Sequence, residues 1–185
     1  MANDRTAPEG LLYQPDFLDQ EEEAELLRVV DAVELHEVRM HGVAAKRTTA
    51  HFGFSYSYEG HGVQETAPIP EPFLPLRGRI AAVAGVPAEA LAELLVTRYP
   101  AGAGIGWHRD APVFGIVAGV SLLSDTVFRF RRKVGDGWQR FDLTAERRSL
   151  YLLTGASRNA WQHGITAVPA LRWSLTFRTV RSQRR

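Results

Sequence analysis

LLVTRYPAGAGIGWHRDAPVFGIVAGVSLLSDTVFRFRR, residues 94–132, alternates short runs of branched and aromatic residues with turns built from Pro, Gly, Ser and Asp. Such runs read as strands, because β-branched and aromatic side chains pack well on a pleated surface while Gly, Pro and Asp interrupt it. LLVTRY (94–99), IVAGVSLL (116–123) and VFRFRR (127–132) are the first three, and RRSLYLLT (147–154) and RWSLTFRTV (172–180) continue the series. PAGAG, KVGDG, TGAS and AVPA punctuate it. No helix-length segment intervenes, so the strands pair with one another as a sandwich or jelly-roll barrel rather than an α/β sheet.

Upstream the period changes from two to that of a helix. Asp19–Val33 has Asp19 as cap, Glu22 three residues on as in a capping box, and Leu26, Leu27, Val30 and Val33 on one face. Leu76–Ala84 reads as a second helix, and Pro87 opens a third through Leu94 as a first-turn proline. Between them lies AAKRTTAHFGFSYSYEGHG, residues 44–62, in which Phe54, Tyr56 and Tyr58 alternate as in a strand. The expected fold is mostly β with N-terminal helices (α+β), a jelly roll flanked by helices, in one domain over residues 1–185.

Composition narrows the function. The chain has 185 residues, 45% hydrophobic and 23% charged, as a globular protein has, and no cysteine. That excludes disulfide scaffolds, zinc fingers, iron–sulfur sites and thiol nucleophiles. MANDRTAPEG at the N-terminus lacks the basic-then-apolar pattern of a signal peptide, and no apolar run approaches a membrane span. A soluble, cytoplasmic monomer with no membrane partner is expected. The net charge of +1 conceals a polarity: residues 1–34 carry ten acids and two bases, residues 129–185 thirteen bases and three acids. A chain polarised in this way often meets a polyanion.

Two of the six histidines stand in a setting that carries chemistry. His108 precedes Asp110 by two residues in GWHRDAP, a spacing that puts both side chains on one side of an extended segment. His163 follows in WQHGI after another strand and turn. Two histidines and one carboxylate form the facial triad of non-haem iron(II) oxygenases, which leaves coordination positions open. His36, His41, His51 and His61 read as surface or satisfied core residues. In RWSLTFR, Arg172 and Arg178 are six residues apart and share a face. Buried guanidinium groups need partners, and a small dicarboxylic acid would pair these two through forked hydrogen bonds. GAGIG, residues 102–106, is too irregular for a dinucleotide fingerprint and no helix follows it.

TRYPAGAGIGWHRD, RSLYLLTGASRNAWQHGI and RWSLTFR, in that order, resemble the AlkB family of iron(II)- and 2-oxoglutarate-dependent dioxygenases over residues 44–180. The resemblance implies a double-stranded β-helix core, here residues 95–180, with residues 44–62 as a nucleotide-recognition lid. It implies that His108, Asp110 and His163 ligate Fe(II). Arg172 would hold the distal carboxylate of 2-oxoglutarate with help from the Tyr99 hydroxyl, and Arg178 would lie near the carboxylate that chelates iron. Thr97 stands where members commonly have Asn, and Ser174 where many have Asn. Ala111 and Pro112 follow Asp110 where DNA-repair members often carry another acid. The cosubstrates implied are 2-oxoglutarate and O2, and the products succinate and CO2, with formaldehyde where the oxidised carbon is an N-methyl group.

The expected partner is therefore nucleic acid, DNA or RNA, presenting a single-stranded or flipped base. Lys46 and Arg47 are candidates for phosphate, Phe54, Tyr56 and Tyr58 for stacking on the base, and Arg109 for a contact beside the ligands. Arg129, Arg131, Arg132 and Lys133 form a second basic patch, with Phe128 and Phe130 pointing the other way. Trp107, Trp138, Trp161 and Trp173 are expected to pack, Trp107 beside the iron. Two other readings stand beside this one: the same oxygenase chemistry on a protein or small molecule, and a non-catalytic jelly-roll binding module.

Overall fold

The structure is a computed structural model and describes residues 6–40, 43–57 and 62–181. In chain order the elements are β1 Leu11–Gln14, α1 Gln20–Asp31, β2 His36–Met40, β3 Val43–Phe52, β4 Phe54–Ser57, β5 Gly62–Glu65 and α2 Leu74–Ala84. Then follow β6 Leu91–Tyr99, β7 Ile105–His108, β8 Phe114–Leu122, β9 Thr126–Val134, β10 Gly137–Ala145, β11 Leu150–Leu153, α3 Gly155–Asn159, β12 Gln162–Ile165 and β13 Arg172–Val180. A seven-stranded antiparallel sheet runs β1-β11-β8-β13-β6-β3-β2, a four-stranded one β10-β9-β12-β7, and β4 pairs with β5. The fold is the mostly-β jelly roll that the strand series implies.

Alternation along the strands divides the large sheet into two unlike faces. One carries Leu94, Val96, Val120, Leu152, Leu175 and Phe177, in one buried cluster with Leu26 and Val30 of α1 and Leu76 and Ile80 of α2. At about 1.5–3 kcal/mol for each fully buried large aliphatic or aromatic side chain, this layer is a principal source of stability. The capping box expected at Asp19 is formed, its carboxylate accepting from the Glu22 amide at 2.8 Å and Glu22 accepting from the Asp19 amide at 2.9 Å. The other face carries Val117 and Leu153, which pack against Phe128 and Phe130 of the small sheet. Around them stand buried polar groups: Thr97, Glu93, Ser121, Arg172, Ser174, Thr176 and Arg178. A polar interior of this kind is the signature of a site.

Residues 87–94 depart from the sequence reading. Only a single 3-10 turn, Ala88–Ala90, follows Pro87, and β6 starts at Leu91. Ala, Glu and Leu favour a helix locally, but Leu91, Leu94 and Glu93 are all fully buried within the sheet, and tertiary burial overrides weak propensity. The sequence pattern does not distinguish β7, β10 and β12 either. Gly104 and Gly164 let β7 and β12 approach: a Cβ on Gly104 would stand 2.7 Å from the Ile165 carbonyl, and one on Gly164 2.9 Å from that of Ile105.

Candidate metal centre

β7 and β12 lie side by side with His108 opposite His163, so the pairing of two short strands brings residues 55 positions apart into contact. Their imidazole centroids are 4.4 Å apart, edge to face. Asp110, two residues beyond, turns its Oδ1 toward both rings, 3.5 Å from His108 Nε2 and 3.6 Å from His163 Nε2. Three donors about 2.1 Å from one ion stand about 3–3.4 Å apart, and these three, all within 4.8 Å of one another, could hold a single cation. Among the described residues it is the only group of three or more His, Cys, Asp or Glu so disposed.

Each donor is oriented by a neighbour. His108 Nδ1–H donates to the Gly106 carbonyl at 2.9 Å, which leaves Nε2 as the lone-pair nitrogen. Burial pushes the His163 imidazole down despite the nearby Asp110 carboxylate, so it is held neutral, the form a metal needs. Phe128 and Phe130 pack against its ring. Burial alone would raise the Asp110 carboxyl, but the Arg178 guanidinium and the two imidazoles beside it hold it well below the usual range. Arg178 Nε donates to Asp110 Oδ2 at 3.1 Å, so one carboxylate oxygen faces the arginine and the other the histidines.

The two arginines of β13 both point inward, as their spacing requires, yet their surroundings differ. Arg178 has carboxylate partners within the protein: besides Asp110 it donates to Glu93 Oε2 at 2.8 Å, and His51 Nδ1–H donates to Glu93 Oε1 at 3.0 Å. Arg178 thus has two carboxylates of the protein against it. Arg172 is fully buried and has no carboxylate against it. Its Nε and Nη2 donate to Ser121 Oγ at 3.1 and 2.6 Å, the Tyr99 ring lies 5.3 Å from its Cζ, and Nη1 is buried with no partner. Burial lowers its pKa, but an arginine stays charged, so a full positive charge with an open N–H edge is held in the interior. That donor set fits a carboxylate. Thr97 and Ser174 lie directly opposite each other on β6 and β13, on the same inward face.

Tyr151 completes the wall. It is buried over Gly119, where any Cβ would collide with its phenol, so Gly119 is required by this packing. Burial raises both the Tyr99 and Tyr151 phenols.

Of the residues expected at the substrate side, Lys46 is exposed and Arg47, Phe54 and the ring of Trp107 are half-buried. Arg47 is near enough to Tyr99 to oppose the rise of its phenol. Arg109 is exposed and donates to the Asn159 carbonyl at 3.3 Å. Tyr58 and the Tyr56 side chain, with His41 and His61, lie outside what the structure describes. His36 is exposed, whereas His51, half-buried, heads the hydrogen-bonded chain that leads through Glu93 and Arg178 to Asp110. Trp161 and Trp173 pack as expected, but Trp138 is 44% exposed, a correction to its assignment as a packing residue.

Three contributors escape the sequence reading. Glu93 stands in a run whose local propensity is helical. His51 looks like any other isolated histidine. Arg158, on α3, donates to the Ala111 and Phe114 carbonyls at 2.8 and 2.7 Å and so fixes the loop after Asp110. An acid set among the apolar residues of LAELLV is the sequence signal for Glu93; His51 and Arg158 carry none.

Comparison with known proteins agrees with this geometry. The model of the 2OG-Fe(II) oxygenase superfamily matches residues 10–181. The chain is 30% identical over 169 residues to the tRNA (carboxymethyluridine(34)-5-O)-methyltransferase ALKBH8 of Macaca fascicularis, covering 86% of this chain and 24% of that protein. It is 29% identical over 180 residues to the alkylated DNA repair protein ALKBH8 homolog of Arabidopsis thaliana, covering 84% of this chain and 50% of that one. The chain thus spans about a quarter to a half of the length of these relatives. The solved structure of OsALKBH1 superposes with a TM-score of 0.70 at 16% identity, over 94% of this chain and 98% of that one, a likeness of fold.

Proposed function

Because the chain belongs to the 2OG-Fe(II) oxygenase superfamily, as an AlkB-family Fe(II)- and 2-oxoglutarate-dependent dioxygenase, we propose that it oxidises a substituent on a modified base of RNA. Where that substituent is an N-methyl group, the reaction is a demethylation that releases formaldehyde. The observation that carries the reading is the presence, on the inward faces of the two sheets, of a convergent His108–Asp110–His163 set and of the buried Arg172, whose Nη1 has no partner.

His108, Asp110 and His163 hold the iron in this proposal. Bound there, Fe(II) with 2-oxoglutarate and O2 supplies decarboxylation of the cosubstrate to succinate and CO2, coupled to insertion of one oxygen atom into a substrate C–H bond. Arg172 binds the distal carboxylate of 2-oxoglutarate through its open Nη1 edge, and Tyr99 and Thr97 line the same pocket. Arg178 orients Asp110, with Glu93 and His51 behind it. Phe128, Phe130 and Tyr151 keep water from the cleft. Lys46, Arg47, Phe54 and Arg109 stand on the substrate side as contacts for phosphate and base. Tyr56 and Tyr58 complete that proposed stacking set.

RNA is put first because the macaque relative is named for tRNA, and because the Arabidopsis relative is named for alkylated DNA repair the test takes both polymers. The test is mass-resolved conversion of methylated single-stranded RNA and DNA oligomers under Fe(II), 2-oxoglutarate and air. Loss of 14 mass units as one methyl group is replaced by hydrogen, or gain of 16 for a retained hydroxyl, is expected with RNA (about one CH2 or one oxygen atom). Succinate formed without any change in either polymer would move the substrate to protein or small molecules.

A further inference from the structure

The outer face of the small sheet lies back to back with the metal ligands and has no role in the chemistry above. Along β7, His108 faces inward and Trp107 outward; along β12, His163 faces inward and Gln162 outward. On β9, Phe128 and Phe130 are buried while Arg129, Arg131 and Lys133 point the other way. These outward residues form a ladder. Arg129 and Arg131 place their guanidinium carbons 4.9 and 4.5 Å from the Trp107 ring centroid. Arg131 is also 4.3 Å from the Trp138 ring, and Lys133 Nζ 5.6 Å from it. Cations and indoles thus alternate from the edge strand that carries a metal ligand out to the tip of the β9–β10 hairpin.

Two features of this face call for an anion. Arg131 and Arg140 are directly opposite each other across β9 and β10, a like-charge pair that destabilises a sheet. Four of the five cations on the two strands (Arg129, Arg131, Lys133 and Arg140) share this face, with only Asp142 of those strands, opposite Arg129, among them. A guanidinium stacked on an indole keeps its N–H edge free for phosphate, and Gln162 takes one N–H of Arg131, at 2.8 Å, leaving its terminal nitrogens outward. Trp138 offers an exposed ring on which a base can stack. Resting on the RNA reading above, we infer that this ladder is a docking surface for the phosphate backbone and bases of an unpaired RNA strand, flanking the nucleotide that enters the cleft. It tracks a strand without reading sequence, because each phosphate and each base face is equivalent to the next.

The experiment is binding of the full chain to a fluorescent single-stranded oligouridylate, titrated at several salt concentrations. Removing one cation that neutralises a phosphate lowers the slope of log affinity against log salt by about 0.7. Lys133→Glu with Arg140→Glu is expected to lower the slope by about 1.4 and the affinity by tenfold or more. Trp138→Ala should weaken binding several-fold while Trp138→Phe retains it. Arg28→Glu, on the distant exposed face of α1, reverses one charge and is the control that should leave affinity unchanged. Both hairpin residues are exposed, and equal thermal midpoints verify that the variants fold. An unchanged affinity and slope in the double variant overturns the ladder, even if the wild-type protein converts RNA. A ladder-dependent affinity without RNA conversion upholds the surface and removes the catalytic reading instead. Should the hairpin variants alter sedimentation and not RNA binding, the face joins two copies of the chain, and the inference falls.

Discussion

Arg172→Met should make the ligand-free protein more stable and the cosubstrate site useless. The wild-type guanidinium is fully buried without a carboxylate, and the effective penalty for such an ion is several kcal/mol. Its Nε and Nη2 share one acceptor, the Ser121 hydroxyl, and that forked contact returns about 1.5–3 kcal/mol, so replacement by an unbranched apolar chain of similar length leaves a net gain of about 1–3 kcal/mol. For a chain of this size that raises the melting midpoint by roughly 2–10 °C. The variant also forfeits two charge-assisted hydrogen bonds to a carboxylate, at about 1.5–3 kcal/mol each, which raises the 2-oxoglutarate requirement at least about a hundredfold. The assay is thermal unfolding with and without 2-oxoglutarate in anaerobic Fe(II) buffer. Saturating cosubstrate at about one hundred times its dissociation constant stabilises the wild type by about 2.7 kcal/mol and the variant hardly at all. A variant that melts below the wild type and still shifts fully with 2-oxoglutarate would refute the reasoning on both counts.

Other consequences are open to measurement. Asp110→Asn keeps an oxygen for Arg178 but offers a poor ligand, so Fe(II) binding and turnover should both disappear while the fold persists; calorimetric iron titration reads this directly. Gly119→Ala forces a methyl group into the Tyr151 phenol and should cost about 1–3 kcal/mol, much less in a Tyr151→Ala background, a coupling that a double-mutant cycle resolves. Burial raises the Tyr99 and Tyr151 phenols above 10, so the native state binds more protons than the unfolded one there. Stability should hold below about pH 10 and fall as pH rises toward the native pKa values. Ultraviolet titration should show two of the five tyrosines ionising late, and a double Phe variant should lack both late steps.

The parts of the fold that alternate are legible, because burial on one face of a strand leaves a period of two. β9 and β13 read from this alternation, β8 and β11 from unbroken runs of branched and aromatic residues, and β13 also discloses the shared face of Arg172 and Arg178. β6 is half hidden, since LAE looks helical by itself and becomes strand only because Leu91 and Glu93 are buried by distant partners. β7 and β12 are four residues each, too short for any periodicity to show. The metal set is visible from residue types and order. Its support is not: that Glu93 shares Arg178 with Asp110 depends on a register between strands 85 positions apart. The same limit applies to the Arg–Trp ladder, whose members lie on β7, β9 and β10.

The most direct test of the account is succinate formation by the purified, folded chain supplied with Fe(II), 2-oxoglutarate and O2, measured with and without methylated single-stranded RNA. The account predicts iron-dependent succinate, raised by the RNA and abolished by Asp110→Asn. No succinate from iron-loaded protein, or equal succinate from the Asp110→Asn variant, would contradict it.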